Sequence, residues 1–262
     1  MTYATIELTV DAGLARLTLN QPALGNPLNE QACAEFGDVA NEIAARSDIR
    51  AVLLSARGKY FSVGGDVKMF AKNIDTLALD MRRWTVGLHM GMARLMRQDA
   101  PLVADIHALA VGGAVAIAAS CDYVVCARSA RLSAGYGKIA VTCDLGATFS
   151  LGSRMGISQA RRFLLRNEVL SAEEALAVGL VDEVVDDGET AGAAEAVARE
   201  FASGPTRTMG EVRRLMLGLQ SRAYEAQLED EAQALARAAA TDDMREGVMA
   251  FVHGRPAQFK GR

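Results

Sequence analysis

The chain has 262 residues, half of them hydrophobic and 23% charged, which excludes global disorder and allows one large domain or two small ones. Its net charge is −4 and its basic clusters are pairs, such as Arg82-Arg83, Arg161-Arg162 and Arg213-Arg214, so no basic stripe is present for nucleic-acid phosphates. The apolar run from Leu109 to Ala119 is broken by Gly112-Gly113 and is shorter than the about 20 residues of a membrane-crossing helix, so no membrane partner is expected.

Ile6, Leu8 and Val10, then Ala15, Leu17 and Leu19, alternate with polar residues and predict a β-hairpin turning near Asp11–Gly13. Ala32, Phe36, Val39, Ala40 and Ile43 have helical spacing within residues 29–46. Buried strands are predicted at residues 49–55, 102–106, 123–127 and 180–185, with a helix from about Ala114 to Ser120 behind a Gly-Gly turn. Strands alternating with helices make the α/β class the expectation. From about residue 187 the strands stop, and helices are predicted over 189–203, 205–220 and 222–240, with a break at Gly204-Pro205. Cys33, Cys121, Cys126 and Cys143 form no zinc pattern and read as free thiols. With no basic-then-apolar leader at the N-terminus, a cytoplasmic protein is expected.

Two glycine turns carry the first chemical signal. One lies in Phe61-Ser62-Val63-Gly64-Gly65-Asp66-Val67 and the other in Val111-Gly112-Gly113-Ala114 at a helix start. Glycine allows a ligand close to the backbone, and the first amides of a helix are free to donate. Each turn alone reads equally as tight packing. Together they supply two N–H groups able to grip one carbonyl oxygen.

These segments, with Asn20-Gln21-Pro22, Asn26-Pro27-Leu28-Asn29, Cys121-Asp122 and the tail from Arg245 to Phe251 and Phe259 to Arg262, resemble the crotonase (enoyl-CoA hydratase/isomerase) superfamily in order and spacing. The resemblance covers essentially the whole chain. It implies a crotonase-like spiral of ββα repeats over residues 1–200, a helical trimerisation region over 201–262, and a homotrimer or dimer of trimers. The implied partner is an acyl-CoA thioester. No separate cofactor or metal is implied, because coenzyme A is part of the substrate. The amides of Gly65 and Gly113 take the oxyanion-hole positions, while Ala23, Leu24, Val63, Gly64, Asp66 and Val67 take positions lining the coenzyme A site. The family often has Lys or Arg in the first loop, where Ala23 and Leu24 stand here.

Hydratases of this family carry two glutamates, and Ala116 and Tyr136 occupy those positions. A carboxylate appears instead at Asp144, in an apolar stretch that would raise its pKa and suit it to move a proton. Its other reading is a helix N-cap. The segment from Tyr136 to Asp144 resembles the epoxyphenylacetyl-CoA isomerase branch, and with His89 it also resembles the 4-chlorobenzoyl-CoA dehalogenase branch. His89 is thus either a general base or a residue on a helix surface among Met90, Met92 and Met96. Tyr136 either packs on or bonds to the acyl group, or is a core aromatic. Trp84 and the nearby methionines line an acyl pocket or fill a helix core.

The expected activity is an acyl-CoA isomerase in which Gly65 and Gly113 hold the thioester oxygen and Asp144 moves the proton. Three alternatives stand beside it. One is a hydratase with non-standard residues. Another is an aryl-CoA hydrolase with Asp144 as nucleophile and His89 as base. The last is a non-catalytic acyl-CoA-binding protein.

Overall fold

A computed structural model describes residues 2–262. Strands β1 (Ile6–Asp11) and β2 (Leu14–Leu19) form the expected hairpin. Its two-residue loop, Ala12-Gly13, has φ of 48° and 82°, the paired left-handed conformation that suits the twist of the flanking strands. Asn29 caps α1 (Glu30–Ala44) by accepting from the Ala32 N–H at 3.0 Å. Next come β3 (Ala51–Ala56), α2 (Val67–Lys72), the long α3 (Leu77–Arg97) and β4 (Leu102–Ile106). The short β5 (Ala110–Val111) runs into α4 (Gly113–Ala119), and β6 (Tyr123–Ala127) and β7 (Arg131–Ser133) follow. After them lie α5 (Ala147–Met155), α6 (Ile157–Leu165), β8 (Val169–Ser171), α7 (Ala172–Ala177) and β9 (Glu183–Val185). Four helices close the chain: α8 (Thr190–Ser203), α9 (Thr206–Gly218), α10 (Tyr224–Ala239) and α11 (Asp242–Val252).

A six-stranded sheet in the order β1-β2-β3-β4-β6-β9 is parallel throughout except for the first hairpin. A smaller sheet, β5-β7-β8, stands beside it. β3 is apolar on consecutive residues because both its faces are covered. Val52 and Leu54 join the main core, whereas Ala51 and Leu53 join a second cluster with Ala194, Ala198 and Ala202 of α8. The alanines recur at every fourth position, so α8 presents one small-residue face to the sheet. Residue 200 lies within this sheet-packed helix, and the outlying helices begin at α9.

One predicted strand is shorter than expected. Leu180 and Val181 are buried but lie outside the strand, because the chain wraps back over the end of α7 at Gly179, φ 77°, where the Leu180 N–H donates to Ala175 O at 2.8 Å. Only Glu183–Val185 then pairs with β6.

Three contacts anchor the rest. Glycines let α1 and α3 cross closely: a β-carbon on Gly37 would lie 2.9 Å from Gly87 O, and one on Gly91 would lie 2.9 Å from Phe36 O. The tail folds back on α11, where the buried Asp243 carboxylate accepts from the N–H groups of Lys260 and Gly261. Asp122 ties α9 to the core, accepting from Leu102 N–H at 2.7 Å and pairing with Arg213 at 2.8 Å.

Candidate active site

The two glycine turns meet through one buried asparagine and one leucine. Asn26, φ 54°, is 2% exposed, and its amide nitrogen donates to the carbonyls of Arg57, Tyr60 and Phe61 at 2.9–3.1 Å. Its side-chain oxygen accepts from Gln21 N–H, and its backbone oxygen accepts from the Ser62 hydroxyl. This fastens the loop before α1 to the turn after β3. Leu28 then pairs with Gly65 in a parallel bridge, and its Cδ1 would lie 2.8 Å from a β-carbon on Gly113.

The glycine pairs are sterically required. Gly64 has φ 80°, and a β-carbon there would sit 2.6 Å from Val111 O. Gly112, φ 57°, turns the chain into α4 and leaves Gly113 as its first residue. Neither the Gly65 N–H nor the Gly113 N–H has a hydrogen-bond partner among the described residues. Two backbone donors are therefore free, one of them at a helix N-terminus.

Asp144 sits beside this pair. Its Oδ1 lies 3.5 Å from where a Gly113 β-carbon would stand, and it accepts a hydrogen bond from the Tyr136 hydroxyl at 3.2 Å. Burial raises the Asp144 pKa, with the Tyr136 hydroxyl pulling the other way. Burial also pushes the Tyr136 phenol up, reinforced by the adjacent carboxylate, so Tyr136 stays a hydrogen-bond donor. The Tyr136 ring covers Gly112, with Cε1 3.6 Å from that residue's β-carbon position. The helix-capping reading of Asp144 does not apply. Its carboxylate caps nothing, and α5 begins after Gly146 without a side-chain cap.

His89 projects from the exposed face of α3, yet its Nε2 accepts from the Leu145 N–H at 3.1 Å. Trp84 and Met92 are buried in the core, Met81 and Met96 pack at its edge, and Met90 is exposed. Trp84 stacks on Phe70, ring centroids 6.1 Å apart, and the tip of the Phe70 ring would lie 2.8 Å from a β-carbon on Gly65.

An open groove of about 820 Å³ runs past Gly65, lined by Ala23, Leu24, Val63, Asp66 and Val67 among others. Gly64 is not at its surface but buried behind it. Asp66 has a structural task as well, capping α2 by accepting from Met69 N–H at 3.0 Å. The groove's cations are Lys68 and Lys72, on α2, rather than residues of the Ala23–Pro27 loop.

Sequence reasoning singled out the glycines, Asp144, Tyr136 and His89, which lie in one neighbourhood. It gave no role to Phe70, Lys68 or Lys72. The signal for the lysines was present, since residues 68 and 72 are one helical turn apart just after the second glycine turn. Phe70 carried no local signal. Among the described residues no three His, Cys, Asp or Glu side chains converge as a metal site requires, and no helix is long and apolar enough to cross a membrane.

Comparison with known proteins agrees with this architecture. The chain is 29% identical over 259 residues to the 1,2-epoxyphenylacetyl-CoA isomerase of Escherichia coli, covering 97% of each chain. It is 27% identical over 265 residues to the short-chain-enoyl-CoA hydratase of Clostridium acetobutylicum, covering the whole of both. The crystal structure of an enoyl-CoA hydratase from Mycobacterium smegmatis superposes with a TM-score of 0.86 at 25% identity, covering 98% of this chain and 99% of that one. A model of the enoyl-CoA hydratase/isomerase family matches residues 9–262, and with the crotonase fold and the paired glycine turns this means that the chain belongs to that family.

Proposed function

We propose that the protein is an acyl-CoA isomerase that shifts a carbon–carbon double bond along the acyl chain by way of a thioester enolate. The observation that carries this reading is the single Asp144 carboxylate beside Gly113, with Ala116 and Tyr136 in the places of the two glutamates. In a β,γ-unsaturated thioester, the Asp144 carboxylate takes a proton from the α-carbon. The electron pair left behind delocalises onto the thioester oxygen, which the Gly65 and Gly113 amides hold. Each such donor is worth about 3–4 kcal/mol to the developing oxyanion. The protonated Asp144 then returns the proton at the γ-carbon, and the double bond moves to the α,β position with no change of mass.

One carboxylate suits this task. Its raised pKa makes it both a stronger base and a usable acid for the same proton. Hydration needs a second group to orient water, and Ala116 is fully buried without a polar atom. The hydrolytic reading needs His89 to activate water through Nε2, but that atom already accepts from Leu145 N–H. In the groove, Lys68 and Lys72 are suited to the coenzyme A phosphates, and Phe70 is suited to wall the acyl group. A trimer or dimer of trimers is part of the same reading, supported by apolar side chains left exposed on the C-terminal helices.

Incubation with a panel of enoyl-CoA thioesters, followed by mass spectrometry, tests the reading. An unchanged mass with a relocated double bond is expected. A gain of one water as the main product contradicts it.

A further inference from the structure

The loop between Tyr136 and α5 has an unusual backbone. Ala140, Leu145 and Gly146 all adopt left-handed conformations, with φ of 54°, 52° and 69°. For the first two this is a conformation that side-chain-bearing residues seldom adopt, so surrounding contacts must enforce it. Leu145 is the pivotal one. Its side chain is buried and its Cδ1 would lie 3.1 Å from a β-carbon on Gly113, while Asp144 precedes it in the chain. Its N–H finds its acceptor on another element, at His89 Nε2, 56 residues away in sequence.

An imidazole nitrogen that accepts a hydrogen bond cannot carry a proton, so in this arrangement Nδ1 holds the His89 hydrogen. The same contact takes up the nitrogen that base catalysis would use. His89 itself stands on a rigid support. Gly87 and Gly91, on either side of it, are the residues by which α3 presses against the backbone of Cys33 and Phe36 in α1. A fixed acceptor on α3 therefore holds the amide that follows Asp144.

We propose that His89 is a positioning residue. Its Nε2 clamps the Leu145 amide and thereby holds the Asp144 carboxylate against Gly113. This rests on the reading of Asp144 as the proton carrier, and it removes His89 from the list of bases.

The test compares His89→Gln, His89→Leu and Asp144→Asn, using β,γ-unsaturated hexenoyl-CoA as the probe. The glutamine oxygen can accept from Leu145 N–H where leucine cannot. Misplacing a reacting group by about 1 Å costs ~10²-fold, so His89→Leu should lose up to that much in kcat with little change in KM. His89→Gln should stay within a few-fold of wild type. Hydrogen exchange gives a readout independent of turnover: the Leu145 amide should exchange faster in His89→Leu and remain protected in His89→Gln. Equal loss in the Gln and Leu variants would overturn the proposal in favour of a base, and an unchanged kcat or unchanged Leu145 protection in His89→Leu would overturn it outright. If Asp144→Asn retains full turnover, the reading of Asp144 itself fails, whatever the His89 variants do. If only the His89 pattern fails, the Asp144 reading survives.

Discussion

At the scale of single residues, the burial that tunes Asp144 also costs stability. Its folded pKa is raised, so its contribution is most favourable below the unfolded carboxylate pKa and is lost as pH rises through the folded value. Asp144→Asn should therefore melt at a higher temperature than wild type at neutral pH, with the gain vanishing in acid. Its turnover should fall about 10²–10⁴-fold, the usual contribution of a positioned base. Because the base must be ionised, kcat/KM of the wild type should decline on acidification at a pH above the ordinary carboxylate range. Asp105 supplies a control. It is buried in β4, its Oδ1 has no hydrogen-bond partner among the described residues, and its pKa is raised by the same desolvation. Asp105→Asn should gain stability at neutral pH while keeping its activity, since it stands outside the proposed machinery. Thermal melts across pH, paired with steady-state rates, check both variants. Asp144 could be singled out from sequence as a candidate because the glutamates that the family resemblance implies are replaced. The same reasoning left His89 open between base and surface residue, because a hydrogen bond to a backbone amide 56 positions away leaves no mark on local spacing.

At the scale of elements, the site is built by loops that borrow their order from one another. Asn26 holds three carbonyls of the turn after β3 and precedes Pro27, which lines the groove. Asn26→Ala would leave buried acceptors without a donor, and one such group costs about 1–3 kcal/mol. Urea unfolding should therefore show a loss of at least that size, and acyl-CoA affinity should weaken with it. The long strands and the first hairpin were legible because alternation and continuous apolar runs follow directly from one-sided or two-sided burial. The three strands of the smaller sheet, at most three residues long, were not read, because so few residues cannot establish a period. The helix α8 was legible along the chain, whereas its place against the sheet, through an alanine face, was not.

At the scale of the whole molecule, the C-terminal helices leave large apolar side chains in solvent, including Leu235, Phe251 and Val252 at 71%, 88% and 68% exposure. Such exposure is expected at an interface, and homo-oligomers favour closed symmetry. Sedimentation at micromolar concentration should give a trimer or hexamer, and a stable monomer would contradict this. The central claim is that Asp144 moves a proton at the carbon next to the thioester. Its most direct test is deuterium exchange into butyryl-CoA, a saturated thioester that can be enolised but not isomerised, in deuterium oxide. Wild type should introduce deuterium at the α-carbon, and Asp144→Asn should not, while still binding the thioester. Equal exchange by both proteins would contradict the claim and move the proton transfer to another group.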